Sequence, residues 1–159
     1  MTRRVVVVML APPAWTPPGV EPATWRRALA DDAVDLLAML AEVEPALAVA
    51  EPDRPLATAV AWPSMRVYVL PTLTIGNVLT AAASDGYEQA AVLAGDAPDL
   101  PGMMIAKLLR PLTTRPAAAA ADAAATSGLL GVASRLPAPA WLSAIDFDDS
   151  TVATVRSAA

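Results

Sequence analysis

Asp96 is the residue that its neighbours best place to do chemistry. It follows an apolar run, Ala91-Val92-Leu93-Ala94, and then Gly95, within the segment AVLAGDAPDLP at Ala91–Pro101. Such a run reads as a buried parallel strand, and ligands of open α/β sheets bind just outside the carboxyl ends of the strands. A carboxylate delivered there on a Gly-Asp-x-Pro turn suits a divalent cation held beside a nucleotide phosphate. The competing role is local, a turn carboxylate that accepts from neighbouring amides.

Other residues carry the same two kinds of reading. Asp146, Asp148 and Asp149 form the densest acidic cluster. Brought near Asp96, Asp148 among them would complete an oxygen-ligand cation site; otherwise Asp148 or Asp149 caps the last helix. Asp99 is expected as the N-cap of the helix after Pro101, and Asp122 is either a displaced second carboxylate or an exposed loop residue. Trp15, set among prolines, either stacks on a base or sugar or packs into the core. Arg66, Arg110, Arg115 and Arg135 are scattered, and solvated surface roles are expected for them.

Composition closes off much chemistry. The 159 residues contain no cysteine and no histidine, which excludes disulfides, thiolate or imidazole metal sites, and Ser-His-Asp or Cys-His catalysis. Any metal must be held by oxygen, which favours Mg²⁺, Mn²⁺ or Ca²⁺. A net charge of −5 without a basic block argues against a nucleic-acid backbone as partner. Lys107 is the sole lysine, so a catalytic lysine would have to be that one. The first apolar run ends at Pro12-Pro13, too short for a membrane span. A cytoplasmic protein with no membrane partner is the expectation.

Positioning these residues requires alternating strands and helices. Arg4–Leu10 reads as a central strand, and a proline-rich loop, Ala11–Pro22, is expected to lie over the sheet edge. Trp25, Leu29, Ala33, Leu36, Leu37 and Leu40 recur at helical spacing, with Pro45 marking the end of that helix. Strands are predicted at Leu47–Ala50, Arg66–Leu70, Gln89–Ala94, Ala117–Ala121 and Leu129–Ala133. Helices are predicted near Leu56–Ala61, at Ile75–Ser84 before Asp85-Gly86, at Met103–Leu109, Ala138–Ala144 and Ser150–Arg156. That order predicts a single domain over residues 1–159, an α/β/α sandwich around a mostly parallel, mixed sheet.

Three places carry a resemblance to a known family. AVLAGDAPDLP resembles a strand ending in Gly-Ser-Asp-x-Pro-x-Leu-Pro. SGLLGVASRLPAPAWLSAIDF resembles a Tyr-x-Leu-x-Gly-Leu strand followed by a proline-rich turn. The N-terminal strand, proline loop and first helix match in order and length. Together they resemble the glycosyltransferase-A-like family of nucleotide-diphospho-sugar transferase homologues, related to small guanylyltransferases, as a divergent member. The resemblance implies a Rossmann-like fold, a nucleotide or nucleotide sugar as ligand, Mg²⁺ or Mn²⁺ as cofactor, and Asp96 as a metal or nucleotide contact; the residues themselves add Gly95 and Trp15 as nucleotide-binding candidates.

The departures from that pattern are specific. The family's loop, Lys-x-Pro-x-x-Gly-x-x-Lys-Thr-Arg-Leu, corresponds here to LAPPAWTPPGVEPATW, with no lysine or arginine between Arg4 and Arg26. Prolines also remove amide donors that would hold phosphates. The family's Asp-Gly-Gly falls on Ala124-Ala125-Thr126, and its Trp-Ser-Thr on Phe147-Asp148-Asp149. Two functional readings follow: a transferase-like protein using a metal for nucleotidyl or nucleotide-sugar transfer, or a pseudoenzyme of the same fold that binds a ligand or protein partner, with the loop around Trp15 as contact surface. A third is structural, a homodimer joined through alanine-rich helices.

Overall fold

The computed structural model describes residues 2–96, 102–121 and 128–159. Asp99, Asp122 and the Ala124-Ala125-Thr126 correspondence lie outside the described residues. In chain order the elements are β1 (Arg4–Met9), α1 (Pro22–Ala38), β2 (Glu44–Ala50), α2 (Arg54–Val60), β3 (Arg66–Leu70), α3 (Ile75–Ser84) and β4 (Gln89–Ala94). They continue with α4 (Gly102–Leu109), β5 (Ala117–Ala120), β6 (Gly131–Arg135) and α5 (Val152–Ala158). Short 3₁₀ turns occupy Glu51–Asp53, Arg110–Thr113 and Ala140–Ala144.

These strands form one six-stranded sheet in the order β3-β2-β1-β4-β6-β5. β1, β2, β3 and β4 run parallel, and β6 is antiparallel to both β4 and β5. The sheet is therefore mixed, as expected. β1 lies at the centre with β2 on one side and β4 on the other, which explains its uninterrupted valines. Alternate side chains feed opposite cores. Val6, Val8, Leu47, Val49 and Leu93 pack beneath α1, α2 and α4. Val5, Val7, Ala46, Ala48 and Val92 pack beneath α3, the Ala140–Ala144 turn and α5.

Local signals explain most boundaries. The Glu21 carboxylate accepts from the Ala23 and Thr24 amides at the start of α1, and Pro22 sits where a missing N–H costs nothing. The Thr74 hydroxyl accepts from the Asn77 amide at the start of α3. Gly86, at φ +88°, ends that helix in the left-handed region.

Several expectations shift. Pro45 does not end α1: Met39 is its C-cap and Pro45 lies inside β2, opposite Val6. A proline is tolerated at the beginning of a strand, where few ladder bonds are lost. β6 starts at Gly131 and not at Leu129, because the Leu129 amide instead donates to the Phe147 carbonyl at 2.7 Å. The last helix is capped by neither Asp148 nor Asp149. Thr151 accepts from the Thr154 amide at 3.1 Å, and the Thr154 hydroxyl answers the Thr151 amide at 3.3 Å. This reciprocal capping box satisfies two orphan donors within one turn.

Candidate functional site: an acidic cavity at the carboxyl ends of β1 and β4

A cavity of about 310 Å³ opens where β1 and β4 end, lined there by Met9, Ala94, Gly95 and Asp96. Ala11, Pro12 and Ala14 of the proline loop form one wall, and Leu73, Thr74 and Ile75 at the head of α3 form another. Ser143–Asp148 complete it. The loop borders Asp96 and does not bury it, since Asp96 remains exposed.

Gly95 is required by close approach of backbone. Its amide donates to the Met9 carbonyl at 3.0 Å, and a Cβ on Gly95 would lie 2.4 Å from that oxygen. The carbonyl belongs to the central strand and cannot yield, so only glycine allows the chain to pass and present Asp96.

The opposite wall is knitted by its own hydrogen bonds. The Asp146 amide donates to the Ser150 hydroxyl at 3.1 Å, and the Asp149 amide to the Asp146 carboxylate at 2.6 Å. One oxygen of Asp146 is thus committed to the turn. Among the described residues no hydrogen bond or ion pair engages the Asp148 side chain. Asp148 instead acts on Asp96. Desolvation in the cavity wall raises the Asp96 pKa above its usual 3.8, its own backbone amide opposes that shift, and the Asp148 carboxylate adds to it. Two carboxylates from segments 52 positions apart in sequence thus line the same cavity.

Among the described residues, three aspartates and no lysine or arginine line the cavity. Arg26, the first cation after Arg4, is committed elsewhere. Its guanidinium grips the Asp53 carboxylate at 2.8 and 3.1 Å and donates to the Leu10 carbonyl at 2.8 Å. An all-oxygen donor set fits Mg²⁺ or Mn²⁺, ions commonly held by one or two carboxylates plus ligand phosphates. No group of three or more acidic side chains converges as a metal cage among the described residues. Asp96 and Asp148 are the two that would hold a cation here.

Trp15 takes another place. It is 64 % exposed and meets Trp25 edge-on, with ring centroids 6.2 Å apart, outside the cavity lining. The scattered arginines also divide. Arg66 pairs with Asp85 at 2.8 Å, whereas Arg135 is not merely solvated: it donates to the Leu112 and Thr113 carbonyls. Sequence reading missed the lining contributed by Ser143–Ile145 and by Leu73–Ile75, because apolar and hydroxyl residues beside helix ends carry no distinctive spacing.

Sheet order and the antiparallel β6 define a mixed α/β fold, and solved structures of nucleotidyltransferase and glycosyltransferase-A-like type share it. A proposed nucleotide-diphospho-sugar transferase from Desulfovibrio desulfuricans G20 superposes with a TM-score of 0.62 at 20% identity, over 85% of this chain and 64% of that one. The chain therefore spans about two thirds of that protein's length. A Mycobacterium tuberculosis H37Rv protein solved as a manganese complex gives 0.58 at 13% identity, over 85% and 72% of the two chains. A CMP:2-keto-3-deoxy-manno-octonic acid synthetase complexed with CTP gives 0.55 at 16% identity, over 92% and 70%. No family profile matches the chain, and no curated protein does. At these identities the likeness establishes the fold. Among the described residues no helix is long and apolar enough to cross a membrane.

Proposed function

We propose that the cavity binds a nucleotide or nucleotide sugar through a divalent cation held by Asp96 and Asp148, with Gly95 letting the ligand approach the backbone. The observation that carries this reading is that Asp96 and Asp148 line one cavity at the strand ends. The fold's likeness to a CTP complex and to a manganese complex supports both ligand classes. Among the described residues the lining supplies three negative side chains and no positive one, so a phosphate without a cation would be repelled. When bound, the cation would neutralise phosphate charge, the main contribution available for nucleotidyl or nucleotide-sugar transfer. The chain itself holds the cation, orients the ligand between the loop and α3, and excludes water with Met9, Leu73 and Ile145.

A second reading rests on the same missing cations. With Arg26 committed to Asp53, no cationic side chain among the described residues lines the cavity to stabilise a leaving phosphate, and a ligand-binding pseudoenzyme would look like this. Its protein-binding variant uses the exposed Trp15 on the proline loop.

Calorimetric titration with GTP, CTP, UDP and sugar nucleotides, with and without Mn²⁺, tests the proposal. Binding that appears only with Mn²⁺ and is lost in Asp96→Ala is the expected result. Absence of binding at millimolar ligand with every divalent ion would end it. Turnover of a bound sugar nucleotide by the pure protein separates the transferase from the pseudoenzyme.

A further inference from the structure

A second cavity, of about 360 Å³, lies at the other end of the sheet, where β1 begins. Its walls come from the segment between α1 and β2, from one side of α4, and from the 3₁₀ turn after α4. Leu40, Val43, Ile105 and Leu109 make it apolar, and Arg4 and Arg110 stand on its border.

The Arg4 side chain is held in place, and the backbone that carries the exposed Arg110 is fixed. Arg4 Nε donates to the Oε1 atom of the buried Gln89 at 2.9 Å, which leaves the two terminal nitrogens of its fork for another acceptor. Arg110 starts the Arg110–Thr113 turn, and Arg135 fixes that turn by donating to the Leu112 and Thr113 carbonyls at 2.5 and 2.6 Å. Among the described residues neither Arg4 nor Arg110 forms an ion pair, although five other arginines do. In a chain of net charge −5, two such guanidiniums beside one apolar cavity are an unusual arrangement. Glu42, the only carboxylate on the border among the described residues, is exposed and held at φ +64°, a conformation L residues other than asparagine and aspartate rarely adopt. Such backbone strain concentrates at binding sites.

We infer that this cavity is a binding site for a small organic anion, a phosphate or carboxylate head on a short apolar body. The head engages Arg4 and Arg110, whose planar forks match either oxyanion, and the body lies against Leu40, Val43 and Ile105. This site shares no residue with the acidic cavity and needs no metal, so it stands or falls independently of the proposal above.

Titration in EDTA with phenyl phosphate, hexanoate and inorganic phosphate tests it, since EDTA silences a metal-dependent site. Phenyl phosphate or hexanoate should bind more tightly than inorganic phosphate, and whichever binds better names the head group. Arg4→Gln and Arg110→Gln should each weaken that binding by about tenfold, the loss of one charge-assisted contact. Ala106→Trp, placed on an exposed position of α4 that borders the cavity, should block binding while circular dichroism stays native. No binding at millimolar probe overturns the inference. So does affinity unchanged in Arg110→Gln and Ala106→Trp, or inorganic phosphate binding as tightly as phenyl phosphate.

Discussion

Asp96 shows how a site residue acts against the stability of its own fold. Desolvation first, and the Asp148 carboxylate second, raise its pKa above 3.8. The folded chain therefore keeps the Asp96 proton through a window in which the unfolded chain has released it. Stability linked to that proton is complete below the unfolded value and is lost as pH rises through the raised one. Burial and the Asp148 carboxylate both disfavour the charged form of Asp96, and its own backbone amide offsets them only in part. Asp96→Asn should therefore raise the thermal midpoint at neutral pH by about 1–2 °C, a modest gain because the group is exposed. The gain should vanish below the ordinary carboxylate value of 3.8. A variant no more stable than the parent at neutral pH would show that the two carboxylates do not oppose each other.

At the scale of elements, the proline loop is positioned by an ion pair at its root. Arg26 of α1 and Asp53, just before α2, are both about three quarters buried, at 21% and 24% side-chain exposure. The same guanidinium holds the Leu10 carbonyl, the point at which β1 ends and the cavity wall Ala11–Ala14 begins. Arg26→Ala leaves Asp53 and that carbonyl without their donor and should cost about 2 kcal/mol. A double-mutant cycle with Asp53→Ala should return a coupling of about 1–2 kcal/mol in urea denaturation. Additive effects would mean that the pair contributes nothing beyond its separate contacts. Sequence reading saw the loop and both helices but not this clasp, since residues 27 positions apart carry no mark of their pairing. It also favoured helix capping over metal ligation for the Asp146–Asp149 cluster, and the cap is Thr151 instead. Hydrogen bonds decided: Thr151 took the cap, Asp146 closed the turn, and Asp148 was left facing Asp96.

At the scale of the molecule, two glycines measure how tightly the layers meet. A Cβ at Gly95 would strike the Met9 carbonyl at 2.4 Å, an atom fixed in the central strand. A Cβ at Gly131 would meet Leu108 Cδ1 at 2.6 Å and Leu93 Cδ2 at 3.0 Å, the mobile ends of side chains joining β6, α4 and β4. Gly95→Ala should therefore cost about 2–3 kcal/mol and Gly131→Ala about 1 kcal/mol, read from urea midpoints at constant m-value. The reverse order would mean that the strands shift more readily than the leucines repack.

Composition and periodicity by themselves determined the strands, most helices and the α/β class, because apolar runs and 3.6-residue spacing are local properties of the chain. They also marked Asp96, since a Gly-Asp turn after a buried strand is legible within eleven residues. Only the tertiary structure decided what Asp96 faces, that Trp15 leans on Trp25 outside the cavity, and that Arg4 and Arg110 share a second one. Those outcomes depend on which distant segments the sheet order brings together, and pairing across β1, β4 and β6 is written in packing and register, not in any one segment's sequence.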